Sequence, residues 1–185
     1  EYIKNSTLSY IRCLDATCGM GNDTIYMADL LKDNGHVDSY DIQEIAITTT
    51  KEKIDNLNIK NVTLFHKSHE EIDASLYDLA IFNLGYLPTC DKNITTKKET
   101  TMIALEKLIN EIDNNENLLI IICLYPGHTE GKIESDYIDN YVYNLSSKKY
   151  LVTKYLNYNR PSSPYIITIS KTKINTLNLV FLING

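Results

Sequence analysis

Asp15-Ala16-Thr17-Cys18-Gly19-Met20-Gly21-Asn22-Asp23-Thr24 decides how the chain folds. Tyr10-Ile11-Arg12-Cys13-Leu14 before it is short and mostly apolar, as a buried strand is. Ile25-Tyr26-Met27-Ala28-Asp29-Leu30-Leu31 after it places apolar residues at helical spacing. The order is strand, glycine turn, helix. Gly19 and Gly21 let the backbone turn sharply and let a ligand approach where a Cβ blocks it. Asp23 and Thr24 fall in the first helical turn, where unsatisfied N–H groups and the positive dipole end lie. A strand ending in such a turn is where open α/β sheets bind nucleotide-like cofactors.

The spacing narrows the cofactor. A dinucleotide fingerprint wants a third glycine where this chain has Thr24, which argues against NAD. An acidic residue four before the first glycine, Asp15 before Gly19, resembles motif I of class I methyltransferases that use S-adenosylmethionine. There the aspartate lies near the cationic end of the ligand. His36-Val37-Asp38-Ser39-Tyr40-Asp41 reads as a second strand ending in a carboxylate. Asp41 can accept from both hydroxyls of a ribose, a feature that both cofactor classes use.

Composition sets the bounds. A chain of 185 residues is enough for one domain with a proper core. It has no run of eighteen apolar residues and no signal-peptide pattern, so a cytoplasmic protein without a membrane contact is expected. Cys13, Cys18, Cys90 and Cys123 are scattered without a C-x-x-C, as free thiols in a reducing compartment are; no metal site is expected. The first residue is Glu1 rather than Met, which fits a fragment or a trimmed chain. The net charge of -6 is uneven: residues 1–90 hold 7 Lys+Arg against 14 Asp+Glu, and residues 91–185 hold 11 against 10. A nucleic-acid surface must therefore draw on the second half, Lys97, Lys154 and Arg160 among its cations. From charge alone, ordinary solvated lysines are the favoured reading.

Taken in order, strands are expected over 11–16, 36–41, 62–66, 77–83, 118–124, 150–156 and 165–171. Helices are expected over 23–32, closed by a left-handed Asn34-Gly35 cap, and over 44–57, 101–112 and 132–145. Ile45, Ile47, Ile54 and Leu57 are expected on the buried face of the second helix. Strands alternating with helices mean an α/β fold with a seven-stranded, mostly parallel sheet. Asn157–Pro164 leaves no room for a helix, so the last two strands form an antiparallel hairpin at the sheet edge. Residues 1–171 are expected to be a single domain and residues 172–185 a tail. Leu177–Ile183 in that tail reads as an extra strand, a homodimer contact or a non-native end.

The chemistry-bearing stretch follows the fourth strand: Asn83-Leu84-Gly85-Tyr86-Leu87-Pro88. It resembles the (D/N)-P-P-(Y/F) motif of methyltransferases that act on amino nitrogens. An amine must share protons as its lone pair attacks. Asn83 and the Leu84 carbonyl can accept from it and aim the lone pair, which is catalysis by positioning. Tyr86 offers a flat face for a base. The bland alternative is a strand end and a turn.

These stretches, with Tyr40-Asp41-Ile42-Gln43, Ser68-His69-Glu70 and Tyr125-Pro126-Gly127-His128, together resemble one small bacterial family of class I methyltransferases long labelled rRNA methylases. The resemblance spans Leu14 to Lys171. It implies S-adenosylmethionine as cofactor and tRNA, at its anticodon loop, as partner. The implied reaction methylates the aminomethyl nitrogen of 5-aminomethyl-2-thiouridine at the wobble position. It implies a cofactor site at Asp15, Gly19, Gly21, Asn22, Asp23, Asp41, Gln43, Ser68 and His69. Asn83 and Tyr86 are then catalytic, and Thr95, Thr96, Lys97 and His128 meet the substrate.

Each has a plainer reading: Ser68 as an N-cap paired with Glu71, His128 as the cap of the helix after it, the 85–99 loop as solvated chain. The chain departs from the family at Met20, usually asparagine, at Thr89-Cys90 and at Lys98. The segment before the first strand is also shorter than usual. The other classes weighed are a methyltransferase of another RNA or DNA amine, and a non-catalytic cofactor- or RNA-binding domain.

Overall fold

The computed structural model describes residues 2–85, 98–160 and 162–172. A short helix α1 (Tyr2–Asn5) leads into β1 (Ile11–Asp15), α2 (Asn22–Leu31), β2 (Gly35–Asp41), α3 (Glu44–Asn56) and β3 (Val62–His66). Two single 3-10 turns precede β4 (Leu79–Leu84); then come α4 (Lys98–Glu111), β5 (Leu119–Leu124), α5 (Thr129–Tyr143), β6 (Tyr150–Tyr155) and β7 (Tyr165–Lys171). The strands form one sheet in the order β3-β2-β1-β4-β5-β7-β6. β7 runs antiparallel to both neighbours and the other pairs are parallel. The expected seven-stranded sheet with its antiparallel ending is what the chain forms.

Both faces of the sheet are covered, which explains strands that are apolar throughout. Side chains alternate between faces along a strand. Ala80, Phe82 and Leu84 of β4 and Ile120, Ile122 and Leu124 of β5 share one core with Leu105 and Leu108 of α4 and Ile138 of α5. Leu79 and Leu119, with Ile11 and Cys13, face Met27, Ala28 and Leu31 of α2 on the other side. Burying a side chain such as Phe82 or Leu105 contributes about 2 kcal/mol. The alternation has a functional consequence. Asp15, Asn83 and Cys123 carry the parity of the α2 face, and the register sets Asn83 opposite Cys123.

The structure corrects several expectations. α2 ends at Leu31, and Lys32, at φ 49°, turns the chain out of it. Asn34-Gly35 is not a left-handed cap: Gly35 is extended and begins β2. Glycine is needed there for closeness, because a Cβ meets the Ile11 carbonyl oxygen and comes 2.7 Å from Leu31 Cδ2. The buried face of α3 is Ala46, Thr50 and Ile54, at four-residue spacing, whereas Ile45 and Leu57 are exposed. α4 begins at Lys98, not Thr101, and α5 at Thr129, not Lys132, with His128 as its cap. Cys13 and Cys18 are buried free thiols and Cys123 is half-buried and free; Cys90 lies outside the described residues, as does the stretch 173–185. No described helix is long and apolar enough to cross a membrane.

Candidate active site

Strand order reverses between β1 and β4, because the chain builds outward from β1 through β2 and β3, then returns to its other side. The C-terminal ends of strands at such a reversal leave a crevice. The glycine turn 16–21 fills its floor and is tied to the strands on both sides. Ala16 N donates to Ile81 O and Cys18 N to Tyr40 O, both at 2.9 Å. Asn83 N donates to Thr17 Oγ1 at 2.8 Å.

Gly19 and Gly21 take positive φ, 52° and 75°. At Gly21 a Cβ also comes 2.5 Å from Thr50 Cγ2, so α3 packs directly on the turn. Lys53 of α3 closes it from outside, donating to Met20 O at 2.6 Å. This contact is made by the backbone of Met20 and asks nothing of its side chain.

Asp15 lies beneath the turn and is wholly enclosed. Its Oδ1 accepts from Thr17 N at 3.1 Å and its Oδ2 from Thr24 Oγ1 at 2.5 Å. Thr24 also meets Ser39 Oγ at 2.7 Å. Where a dinucleotide-binding turn packs a glycine, this helix is pinned to β1 and β2 by a hydroxyl. Burial raises the Asp15 carboxyl to about 6, with the bond from Thr24 and the charge of Asp23 the next influences.

Asp41 stands at the end of β2 and faces the turn. Its Oδ2 accepts from Gly19 N and its Oδ1 from Gln43 N, both at 2.9 Å. Each oxygen keeps a further lone pair. Gln43 caps α3 by its backbone only. Ser68 caps the turn His69–Glu71, accepting from Glu70 N rather than pairing with Glu71. Asn22 and Asp23 open α2, with Asn22 exposed.

His69 is buried edge-on to Phe82, 5.9 Å between ring centres. Burial holds its pKa below the usual histidine value. The neutral ring donates from Nδ1 to Ala16 O at 3.0 Å, which leaves Nε2 an acceptor. That Nε2 is buried with no hydrogen-bond partner. An orphaned buried acceptor is rare and expensive, and it lies behind the same turn.

Asn83 is half-buried at the end of β4, and its Nδ2 donates to Asp23 Oδ2 at 3.0 Å. The Tyr125 ring lies beside Gly85, 3.6 Å from where a Cβ stands. Burial, then Cys123 and Asp23, push the Tyr125 hydroxyl well above its ordinary value, so it remains protonated. His128 Nδ1 accepts from Gly131 N at 3.1 Å and caps α5. Of the sequence-predicted residues, Tyr86, Thr95, Thr96 and Lys97 lie outside the described residues. The structure brings Asp15, Gly19, Gly21, Asp23, Asp41, His69 and Asn83 to one strand edge.

Thr17, Lys53 and Tyr125 were missed. Thr17 sits inside the glycine turn and Tyr125 opens the Tyr-Pro-Gly-His stretch, so both had a positional signal. Lys53 had none, because its target is a backbone oxygen.

A family model described as "Putative rRNA methylase" matches residues 37–171. The chain belongs to this family. Among solved structures, a "putative rRNA-methylase" from Clostridium thermocellum is 34% identical, with TM-score 0.81, covering 92% of this chain and 93% of that one. A "putative methyltransferase" from Streptococcus mutans in complex with SAH is 29% identical, with TM-score 0.76 over 92% and 93% of the two chains. A chloroplastic tRNA (mnm(5)s(2)U34)-methyltransferase of Arabidopsis thaliana is 30% identical over 172 residues. That match takes in 85% of this chain and 62% of the relative's length.

Class I methyltransferase is thus the fold, and S-adenosylmethionine the cofactor of the family. The residues present fit it. They offer a carboxylate with spare lone pairs at the end of β2, two glycines in left-handed conformation and a buried acceptor without a partner.

Proposed function

We propose that this chain methylates an amino nitrogen, namely the aminomethyl nitrogen of 5-aminomethyl-2-thiouridine at the tRNA wobble position. The observation that carries the reading is Asn83, set at the crevice by its own backbone and by Asp23. An amide there has no basicity to offer, so it suits a nucleophile that needs aiming rather than deprotonation. The tRNA substrate draws on the name of the Arabidopsis relative.

Asp41 is assigned to the ribose hydroxyls, the glycine turn to the methionine moiety, and His69 Nε2 to a donor on the adenine side. Asp15 holds the turn from beneath. Asn22, Gln43 and Ser68 complete the rim. S-adenosylmethionine, when bound, would supply an activated sulfonium methyl to the amine lone pair, with SAH as the leaving group. Asn83 Oδ1 and the Leu84 carbonyl accept N–H groups of the neutral amine and direct its lone pair. The proton of the resulting ammonium leaves to solvent. Tyr86 is assigned to the substrate base, and Thr95, Thr96 and Lys97 to the anticodon loop. His128 contributes through the α5 cap.

The test is methyl transfer from labelled S-adenosylmethionine to tRNA from cells lacking the enzyme, with nucleosides read by mass spectrometry. The expected product is 5-methylaminomethyl-2-thiouridine. Transfer to ribosomal RNA alone overturns the wobble assignment and keeps the amine chemistry. SAH binding without transfer to either leaves a binding domain.

A further inference from the structure

The Asn83 amide has two ends, and only one of them serves an incoming amine. A carbonyl oxygen accepts an N–H and leaves the lone pair free. An NH2 turned the same way donates to that lone pair and ties up the nucleophile. Which end faces the substrate is therefore a catalytic question.

The structure answers it through Asp23. Its Oδ2 lies 3.0 Å from Asn83 Nδ2. A carboxylate accepts and does not donate, so the amide nitrogen must face Asp23 and the oxygen must face away. Both partners are fixed. Asn83 is held by its backbone bond to Thr17 and by β4–β5 register. Asp23 stands in the first turn of α2, whose start is set by Gly21, where a side chain is excluded.

We propose that Asp23 is a positioning residue for methyl transfer: it locks the Asn83 amide so that Oδ1 is the atom presented to the substrate amine. This rests on the amine reading above. It separates two roles for Asp23. A contact to the cofactor alone changes affinity for SAH, whereas an amide lock changes turnover after the cofactor is saturating.

The test compares Asp23→Ala, Asn83→Asp and the exchange D23N/N83D with the wild type. Binding of SAH is measured by calorimetry and turnover at saturating S-adenosylmethionine. Asp23→Ala is expected to keep its melting temperature within a few degrees and to lose at least tenfold in kcat. Asn83→Asp sets two carboxylates together and is expected to make kcat strongly pH-dependent. The exchange restores a donor facing a carboxylate, and most of kcat with it. The Asn83 side-chain NH2 signals in nitrogen-15 spectra are expected to move in Asp23→Ala.

A kcat within twofold of wild type in Asp23→Ala, or unmoved amide signals, overturns the proposal. Should Asp23→Ala not fold, the exchange decides: a folded exchange variant with under a tenth of wild-type turnover overturns it. If the wild type itself methylates no amine, the proposed function fails, and the NH2 signals still report on the Asp23–Asn83 contact.

Discussion

Asp15 is a carboxyl without solvent, and its environment makes a pH prediction. Burial raises it to about 6 in the folded state, from an ordinary 3.8. The folded protein therefore holds this proton more tightly than the unfolded chain does. Its contribution to stability is fully present below the ordinary value and is lost as pH rises through about 6. Asp15→Asn keeps an acceptor for Thr17 N and removes the buried charge. Relative to wild type it is expected to gain up to about 3 kcal/mol between pH 4 and pH 7, at roughly 1.4 kcal/mol per pKa unit. Denaturant melts of both proteins across that range check the sign. His69 supplies a second residue-scale prediction. His69→Phe keeps the packing on Phe82 and removes both the orphaned Nε2 and the Nδ1 bond to Ala16 O; SAH affinity is expected to fall at least about tenfold, the worth of one hydrogen bond or more. Calorimetry reads it directly, and an unchanged Kd removes His69 from the cofactor site.

At the scale of elements, the strand–turn–helix unit around the two glycines was legible because its signals are local: apolar spacing, glycine, an acidic residue at a strand end. The alternation of strands and helices and the terminal hairpin were legible for the same reason, whereas the order of the strands across the sheet is seen only in the fold. What failed was tertiary. Gly35 looked like a helix cap, but its neighbour across the sheet, Ile11, decides its identity. Ile45 and Leu57 looked like core, yet the face of α3 that meets the sheet is set by Thr50 against Gly21. Gly35→Ala is accordingly expected to cost about 3 kcal/mol or more, by forcing β1 and β2 apart. A thermal melt measures it, and a loss below about 1 kcal/mol contradicts the close-approach argument. The turn between β6 and β7 invites a separate test. It returns the chain beside the end of β5, with Ser162 O 3.6 Å from where a Cβ on Gly127 stands. Tyr158 there is 96% exposed, and Arg160 is exposed beside it. An aromatic face and a guanidinium at the crevice rim suit an unstacked base and a phosphate. Replacing both with alanine is expected to raise KM for RNA about tenfold and leave SAH affinity unchanged.

For the molecule as a whole, charge limits how the proposed RNA substrate can be held. The chain carries a net charge of -6, and many described lysines are already engaged. Lys149 and Lys171 share Asp113, Lys154 meets Asp139 and Lys132 meets Asp136. Among the described residues, few lysines of the second half then remain to meet phosphates. A plot of log affinity for tRNA against log salt is expected to have a slope no steeper than about -3, the value for roughly four phosphates. A much steeper slope points to a basic surface beyond the described residues. The sheet order carries one more consequence, and it concerns synthesis. β7 is the last of the seven strands to be made, yet it sits between β5 and β6. Until residues 165–171 leave the ribosome, β5 has a bare edge and β6 has no neighbour at all. The nascent chain thus waits with its most apolar strand open on one side, exposed to pairing with other chains.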